Sequence, residues 1–178
     1  MKEPAPDVFK VKLETTKGDV LVEVHKEWAP LGAQRFYDLV KAGFYNDTRL
    51  FRMVTGFVVQ WGINGDPAVN EKWDVKLKDE PVKQSNLKGY LSFAAGGPNT
   101  RTTQMFINLG DNTQLDTYTP GFAPFGKVVE GMEVVEHFNS KYDEQPTQTQ
   151  SQMRTMGNAF TDKRFPGLDS IKSASIVP

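Results

Sequence analysis

The sequence predicts a mainly β fold: a closed eight-stranded antiparallel β-barrel with two capping α-helices. Three observations predict it. Short runs of alternating apolar and polar residues, separated by Gly, Pro, Asn and Asp, recur from Val8 to Val177. Only two stretches carry apolar residues at helical spacing. A sheet of about eight strands tends to curl until its edges meet, because an open edge leaves backbone donors and acceptors unpaired.

In order, Val8 to Thr16 alternates, with Val11 and Leu13 against Lys10, Lys12 and Glu14, and Lys17-Gly18-Asp19 supplies a turn before Val20, Val22 and Val24. That is an opening β-hairpin. Pro30 starts a segment in which Ala33, Phe36, Leu39 and Val40 recur at helical spacing, and Gly43 stands where a helix end favours glycine. Arg49–Val54 and Phe57–Ile63 are strand-like runs joined at Thr55-Gly56, expected to pair as a hairpin. Pro67 to Lys88, with Asp79-Glu80-Pro81, reads as a long surface connection. Three further strands follow at Gly89–Ala95, Gln104–Leu109 and Phe122–Val129. A second helix starts near Gly131 and runs through Val134, Val135 and Phe138. Ser140 to Met156 is polar and glutamine-rich, and Ser170 to Val177 is the closing strand.

The 178 residues suit one domain, 1–178, with a polar tail over 1–7 and a polar connection over 141–169. A formal net charge of -1 provides no basic stripe, so nucleic acid is not an expected partner. Cysteine is absent, which removes disulfides, thiolate metal sites and a cysteine nucleophile. No apolar run approaches the length of a membrane span, and a soluble monomer is expected. The polar, proline-bearing start fits a cytoplasmic protein if native. It fits a periplasmic or secreted one if an export signal preceded it.

Most catalytic constellations fail against so few candidates. His25 and His137, the only histidines, are far apart and lack ligand-spaced neighbours, so no metal is expected. No G-x-S-x-G, P-loop or G-x-G-x-x-G pattern occurs. Asn46-Asp47-Thr48 matches a glycosylation acceptor, a tripeptide common by chance.

Strand faces are more informative, because successive side chains point to opposite sides. Met105, Ile107 and Leu109 share one face; Gln104, Phe106 and Asn108 share the other. Val59 goes with Trp61, Val58 with Gln60, and Leu50 with Arg52 and Val54. The outer surface then carries Arg52, Val58, Gln60, Gln104 and Phe106, an apolar patch with a cation and two amides. Singly, each is ordinary: strands carry odd outward aromatics, and a lone Arg in a hairpin is usually solvated.

Together they form longer motifs. Arg52-Met53-Val54-Thr55-Gly56-Phe57-Val58-Val59-Gln60 resembles the cyclophilin pattern R-x-x-P-G-F-x-x-Q. Ser92 to Thr100, followed by Thr103-Gln104-Met105-Phe106-Ile107, resembles that family's S-x-A-x-x-G-P-N-T and S-Q-F-F-I. Leu115-Asp116 and Phe125-Gly126-Lys127-Val128 echo a third motif, and order and spacing agree from about Val8 to Phe138. The resemblance implies a cyclophilin-like barrel that isomerises X-Pro peptide bonds in protein folding, without a cofactor. Its partners would be proline-containing peptides and unfolded proteins.

The resemblance also implies roles. Arg52 would hydrogen-bond to the twisted proline amide, and Gln60 would orient it. Phe57, Val58, Phe106 and Leu115 would form the proline pocket, with Phe122 in the place of a pocket His. Gln104 and the backbone near Ala94 and Ala95 would hold the peptide. Phe51, Thr55, Val58 and Ala95 stand where many members have His, Pro, Met and Asn. Gln114 stands where the family has a Trp that donates to cyclosporin, so weak cyclosporin binding is expected. Two alternatives stay open: a non-catalytic proline-peptide or chaperone module, which could dispense with Arg52, and a ligand-carrying barrel, which would need small inward side chains.

Overall fold

The computed structural model describes residues 3–178. β1 (Val8–Thr15) and β2 (Gly18–His25) form the opening hairpin, in register from Val8↔His25 to Thr15↔Gly18. The alternation behaves as expected, since Val11, Leu13, Val20, Val22 and Val24 are all buried. α1 (Pro30–Lys41) follows, and buries Ala33, Phe36, Leu39 and Val40.

The remaining strands are β3 (Thr48–Arg49), β4 (Arg52–Val54), β5 (Val58–Trp61), β6 (Tyr90–Phe93), β7 (Met105–Asn108), β8 (Gly126–Glu130) and β9 (Ser170–Ile176). They form one antiparallel nine-stranded sheet in the order β3-β9-β1-β2-β8-β6-β7-β5-β4. Nine strands replace the expected eight because the run Arg49–Val54 divides. Leu50 and Phe51 both turn inward, Leu50 into the main core and Phe51 into a small cluster with Ile63 and Met153. Two successive inward residues break the period of two on which a single strand depends. Thr48-Arg49 therefore pairs with β9, and Arg52–Val54 with β5. The sheet curls so far that two residues carry the chain from one edge to the other. The ladder itself runs open from β3 to β4 among the described residues, where a closed barrel was expected.

Helices are more numerous and shorter than the expected two. α2 (Pro67–Lys72) lies within the stretch read as a surface connection; Asp66 caps it, accepting from the Ala68 N–H at 3.0 Å. α3 (Met132–Val135) stops before Phe138, which is buried all the same. The polar connection 141–169 holds a 3-10 turn (Gln145–Thr149), α4 (Gln150–Met156) and α5 (Asn158–Arg164). Buried Pro146, Met153, Thr161 and Phe165 pin it down. Helices of seven residues complete too few turns to print an amphipathic period. The tail is also tied, its Ala5 buried with its N–H on Gln34 Oε1 at 2.8 Å; Met1 and Lys2 lie outside the described residues.

The concave side of the sheet is filled. Trp61, Tyr45, Phe36, Phe93 and Phe125 are among the largest fully buried side chains, with Val59, Leu91, Met105 and Ile107 between them. Those inward faces are large, as the ligand-carrying alternative required them not to be. Tyr45 donates to the Thr103 carbonyl at 2.9 Å, and burial pushes its phenol pKa well up.

Candidate active site

Four strands place the site. Arg52 pairs with Gln60 across β4–β5, Gln60 with Phe106 across β5–β7, and Phe106 with Ser92 across β7–β6. These four form one row on the outer face, because paired residues of antiparallel strands point the same way. The neighbouring row, Met53–Val59–Ile107–Leu91, points inward and is buried. Gly56, at φ +77°, makes the turn of the β4–β5 hairpin, a conformation that a side chain would strain. Gly62, just after β5, allows the backbone at Thr103 to approach; a Cβ there would sit 2.4 Å from the Thr103 carbonyl oxygen.

The outer face is less exposed than its polar character suggested. Val58, Gln60 and Phe106 are buried, and so are Ser92 and Asn108. An amide network covers them. Ser92 donates to Asn86 Oδ1 at 2.8 Å and Asn108 Nδ2 to the same oxygen at 3.2 Å, while Asn112 Nδ2 bridges the Phe57 carbonyl and Asn108 Oδ1. Asn86 Nδ2 donates to Asp116 Oδ1 at 2.8 Å and to the Phe122 carbonyl at 2.9 Å. One buried amide thereby fixes both the 3-10 turn Thr113–Asp116, which carries Leu115, and the irregular segment at Phe122, which was expected to be strand but leads into β8 only at Gly126. Burial acts to raise the Asp116 pKa, but hydrogen bonds from Ser85, the Asn86 side chain and the Asn86 N–H outweigh it and hold the carboxyl below its ordinary value.

Arg52 stands at the end of the row. Its Nη1 donates to Gln60 Oε1 at 3.1 Å, and its guanidinium carbon lies 5.6 Å from the centre of the Phe57 ring. Gln60 Nε2 donates to Gln104 Oε1 at 2.8 Å, and Gln104 Nε2 to Gln150 Oε1 at 3.0 Å. Nη2 meets Glu144, and Nε is buried without an acceptor. The opposite wall is the loop after β6. The Ala94 N–H donates to the Gln104 carbonyl at 2.9 Å, and Gly96 is tied to Thr100 Oγ1. Asp79 and Asn99 exchange backbone-to-side-chain bonds, and Arg101 pairs with Glu80 at 2.8 Å, both side chains 5 % exposed. Glu80 in turn accepts from the Leu31 and Gly32 N–H groups at the start of α1.

Between these walls lies a cleft of about 710 Å³. Arg52, Phe57, Val58, Gln60, Ala94, Ala95, Gln104, Phe106, Leu115 and Phe122, all ten residues picked out in the sequence, line it. Phe106 and Phe122 meet edge to face at 5.7 Å and form an aromatic floor. Gln114 is exposed and does not line the cleft. Sequence reasoning missed Thr147, Gln150 and Arg154, which line the cleft from the glutamine-rich segment, Asp74, which pairs with Arg154, and Lys76, Thr100 and Thr102. The run of side-chain amides was the only signal, and a solvated connection has the same composition. Neither His25, stacked on Trp28 at 4.2 Å, nor His137 reaches the cleft.

Residues 10–158 match the family model described as cyclophilin type peptidyl-prolyl cis-trans isomerase/CLD. The chain belongs to the cyclophilin-type peptidyl-prolyl cis-trans isomerases. Among curated cyclophilins, it is 36% identical over 135 residues to peptidyl-prolyl cis-trans isomerase A of Dickeya dadantii, covering 71% of this chain and 68% of that protein. It is 35% identical over 135 residues to the human peptidyl-prolyl cis-trans isomerase-like 3, covering 72% and 80%. The cyclophilin fold is matched by a crystal structure of a Cryptosporidium parvum cyclophilin type peptidyl-prolyl cis-trans isomerase, at TM-score 0.70 and 23% identity over 96% of this chain and 98% of that one. A structure of that cyclophilin determined in the presence of the dipeptide Ala-Pro superposes at TM-score 0.68, again at 23% identity, over 95% and 99%.

Proposed function

We propose that this cyclophilin accelerates rotation about X-Pro bonds in unfolded or extended chains by directing the Arg52 guanidinium at the twisted proline amide. The observation that carries this reading is the bond from Arg52 Nη1 to Gln60 Oε1, over a cleft floored by Phe106 and Phe122.

Rotation about a peptide bond must abolish amide resonance, at a barrier of about 18–20 kcal/mol, and X-Pro exchange takes tens to hundreds of seconds unaided. As the bond twists, the proline nitrogen pyramidalises and regains a lone pair. A donor aimed there binds the transition state better than either planar ground state. Arg52 is permanently charged, has five N–H donors and cannot act as an acid or base at neutral pH. No proton is transferred.

Shortening an exchange of about 100 s to a turnover of about 1,000 per second takes about 7 kcal/mol. One charge-assisted bond supplies about 1.5–3 kcal/mol of that. The rest falls to positioning: Phe57, Val58, Phe106, Leu115 and Phe122 hold the ring, while Gln104 and the backbone at Ala94 and Ala95 hold the peptide as the N-terminal side turns. Exchange spectroscopy or a protease-coupled assay on an Ala-Pro peptide tests this. The wild type accelerates exchange and Arg52→Ala loses most of the acceleration; a mutant that keeps it sinks the mechanism.

A further inference from the structure

Two of the five N–H donors of Arg52 are engaged within the protein, one of them by a residue outside the sheet. Nη1 commits one N–H to Gln60 of the sheet and Nε is buried with no acceptor, whereas Nη2 meets Glu144, which lies outside the sheet. Nη2 donates to Glu144 Oε1 at 2.5 Å. The backbone of Glu144 is anchored: Thr147 Oγ1 donates to its carbonyl, the next turn contains buried Pro146, and nearby Tyr142 packs edge-on against Phe165 with its hydroxyl on the Pro166 carbonyl. Its side chain is 55% exposed, against 24% for Arg52.

We propose that Glu144 is a specificity-determining residue, which yields Nη2 to the peptide and then favours a cationic side chain beside the proline while disfavouring an acidic one. This rests on the reading of Arg52 given above. An ion pair with so exposed a partner is weak, so a proline amide held over the cleft can displace it. Displacement leaves the carboxylate close by, since its backbone cannot follow the peptide, with its oxygens open to solvent. Arg52, already the less exposed of the two, is then covered by the peptide, so a flanking side chain meets the exposed anion. The other charges of the cleft are Asp74, Lys76 and Arg154. Asp74 and Arg154 pair with each other at 3.2 Å and largely cancel. Lys76 adds a positive charge to the wall opposite Arg52, and so does not substitute for Glu144 in drawing a cation.

The experiment compares kcat/KM for two otherwise neutral peptides that carry either Lys or Glu next to Ala-Pro, tested on each side in turn. The wild type favours Lys by about threefold on at least one side, the scale of an exposed charge pair, and added salt compresses the preference. Glu144→Gln brings the ratio to about one, and Glu144→Lys inverts it. The inversion cannot arise from damaged folding, which would lower both rates together. A ratio that stays at the wild-type value in both variants overturns the proposal. If Arg52→Ala abolishes acceleration while the ratio ignores Glu144, only the role of Glu144 fails; if Arg52→Ala retains full activity, the mechanism beneath it fails first.

Discussion

Arg52 and Gln60 face each other across the β4–β5 hairpin, in register, with Nη1 and Oε1 3.1 Å apart. The pairing gives the guanidinium a fixed neighbour from the sheet itself, and Gln60 passes the constraint on to Gln104.

Gln60→Ala should therefore reduce catalysis more than stability. It removes the acceptor of Arg52 Nη1 and unties Gln104, so the guanidinium samples more rotamers. A lost hydrogen bond to a charged group is worth about 1.5 kcal/mol, roughly tenfold in rate. The loss should appear in kcat, measured under saturating peptide, with a melting temperature shifted far less than for a core truncation. A purely ground-state effect, with KM raised and kcat intact, would assign Gln60 to peptide binding instead.

The cleft was legible in the sequence because its main residues sit on regular strands. Gln60, Gln104 and Phe106 follow the period of two, which put them on one outer face from the sequence; that Ser92 joins the row depends on the pairing of β6 with β7. The wall made by Thr147, Gln150 and Arg154 was not legible. Its helices are too short to set a period, and their docking depends on Met153 meeting Phe51 and Ile63, a contact across about a hundred residues of chain. The division of Arg49–Val54 escaped for a related reason: Leu50 and Phe51 both look like strand residues, and only the positions of β9 and β5 decide that they must turn.

Glu80→Ala should destabilise the protein and loosen the cleft wall at Ala94 and Ala95 together. The change leaves the Arg101 guanidinium buried without its anion and removes the acceptor for two N–H groups at the start of α1. Breaking a buried pair from one side costs about 3–5 kcal/mol. Urea denaturation should show that loss. Hydrogen exchange should show new opening around Ala94 to Arg101 at denaturant levels where β1 and β2 remain protected. Uniform loss of protection over the whole sheet would mean that Glu80 holds the fold and not the wall.

Acid should weaken the wall of the cleft that carries Leu115 and Phe122, through Asp116. Its pKa is depressed in the folded protein, so its contribution to stability is fully present above the unfolded carboxylate value of about 3.9 and is lost as pH falls through the folded value. Asp162, depressed by its bonds to Arg49, adds to the same acid limb. Asp116→Asn should be less stable than wild type at pH 6, and the difference should shrink as the pH approaches 3. A difference that stays constant over that range would show that Asp116 does not titrate with unfolding.

Cyclosporin should bind weakly. By the family resemblance, tight binding uses an indole donor where this chain has Gln114, and a pocket histidine where it has Phe122. Gln114 is exposed and outside the cleft, and Phe122 is packed edge-on against Phe106 and tied through its carbonyl to Asn86, so neither side chain presents a donor in the required place. Gln114→Trp adds both an N–H and a large apolar face on the 3-10 turn that already carries Leu115. One hydrogen bond is worth about 1 kcal/mol, and the added apolar contact brings the expected gain to about tenfold in affinity. Calorimetric titration of both proteins decides it. A tight wild-type complex, or a Trp variant no better than wild type, would break the correspondence between Gln114 and the family's donor.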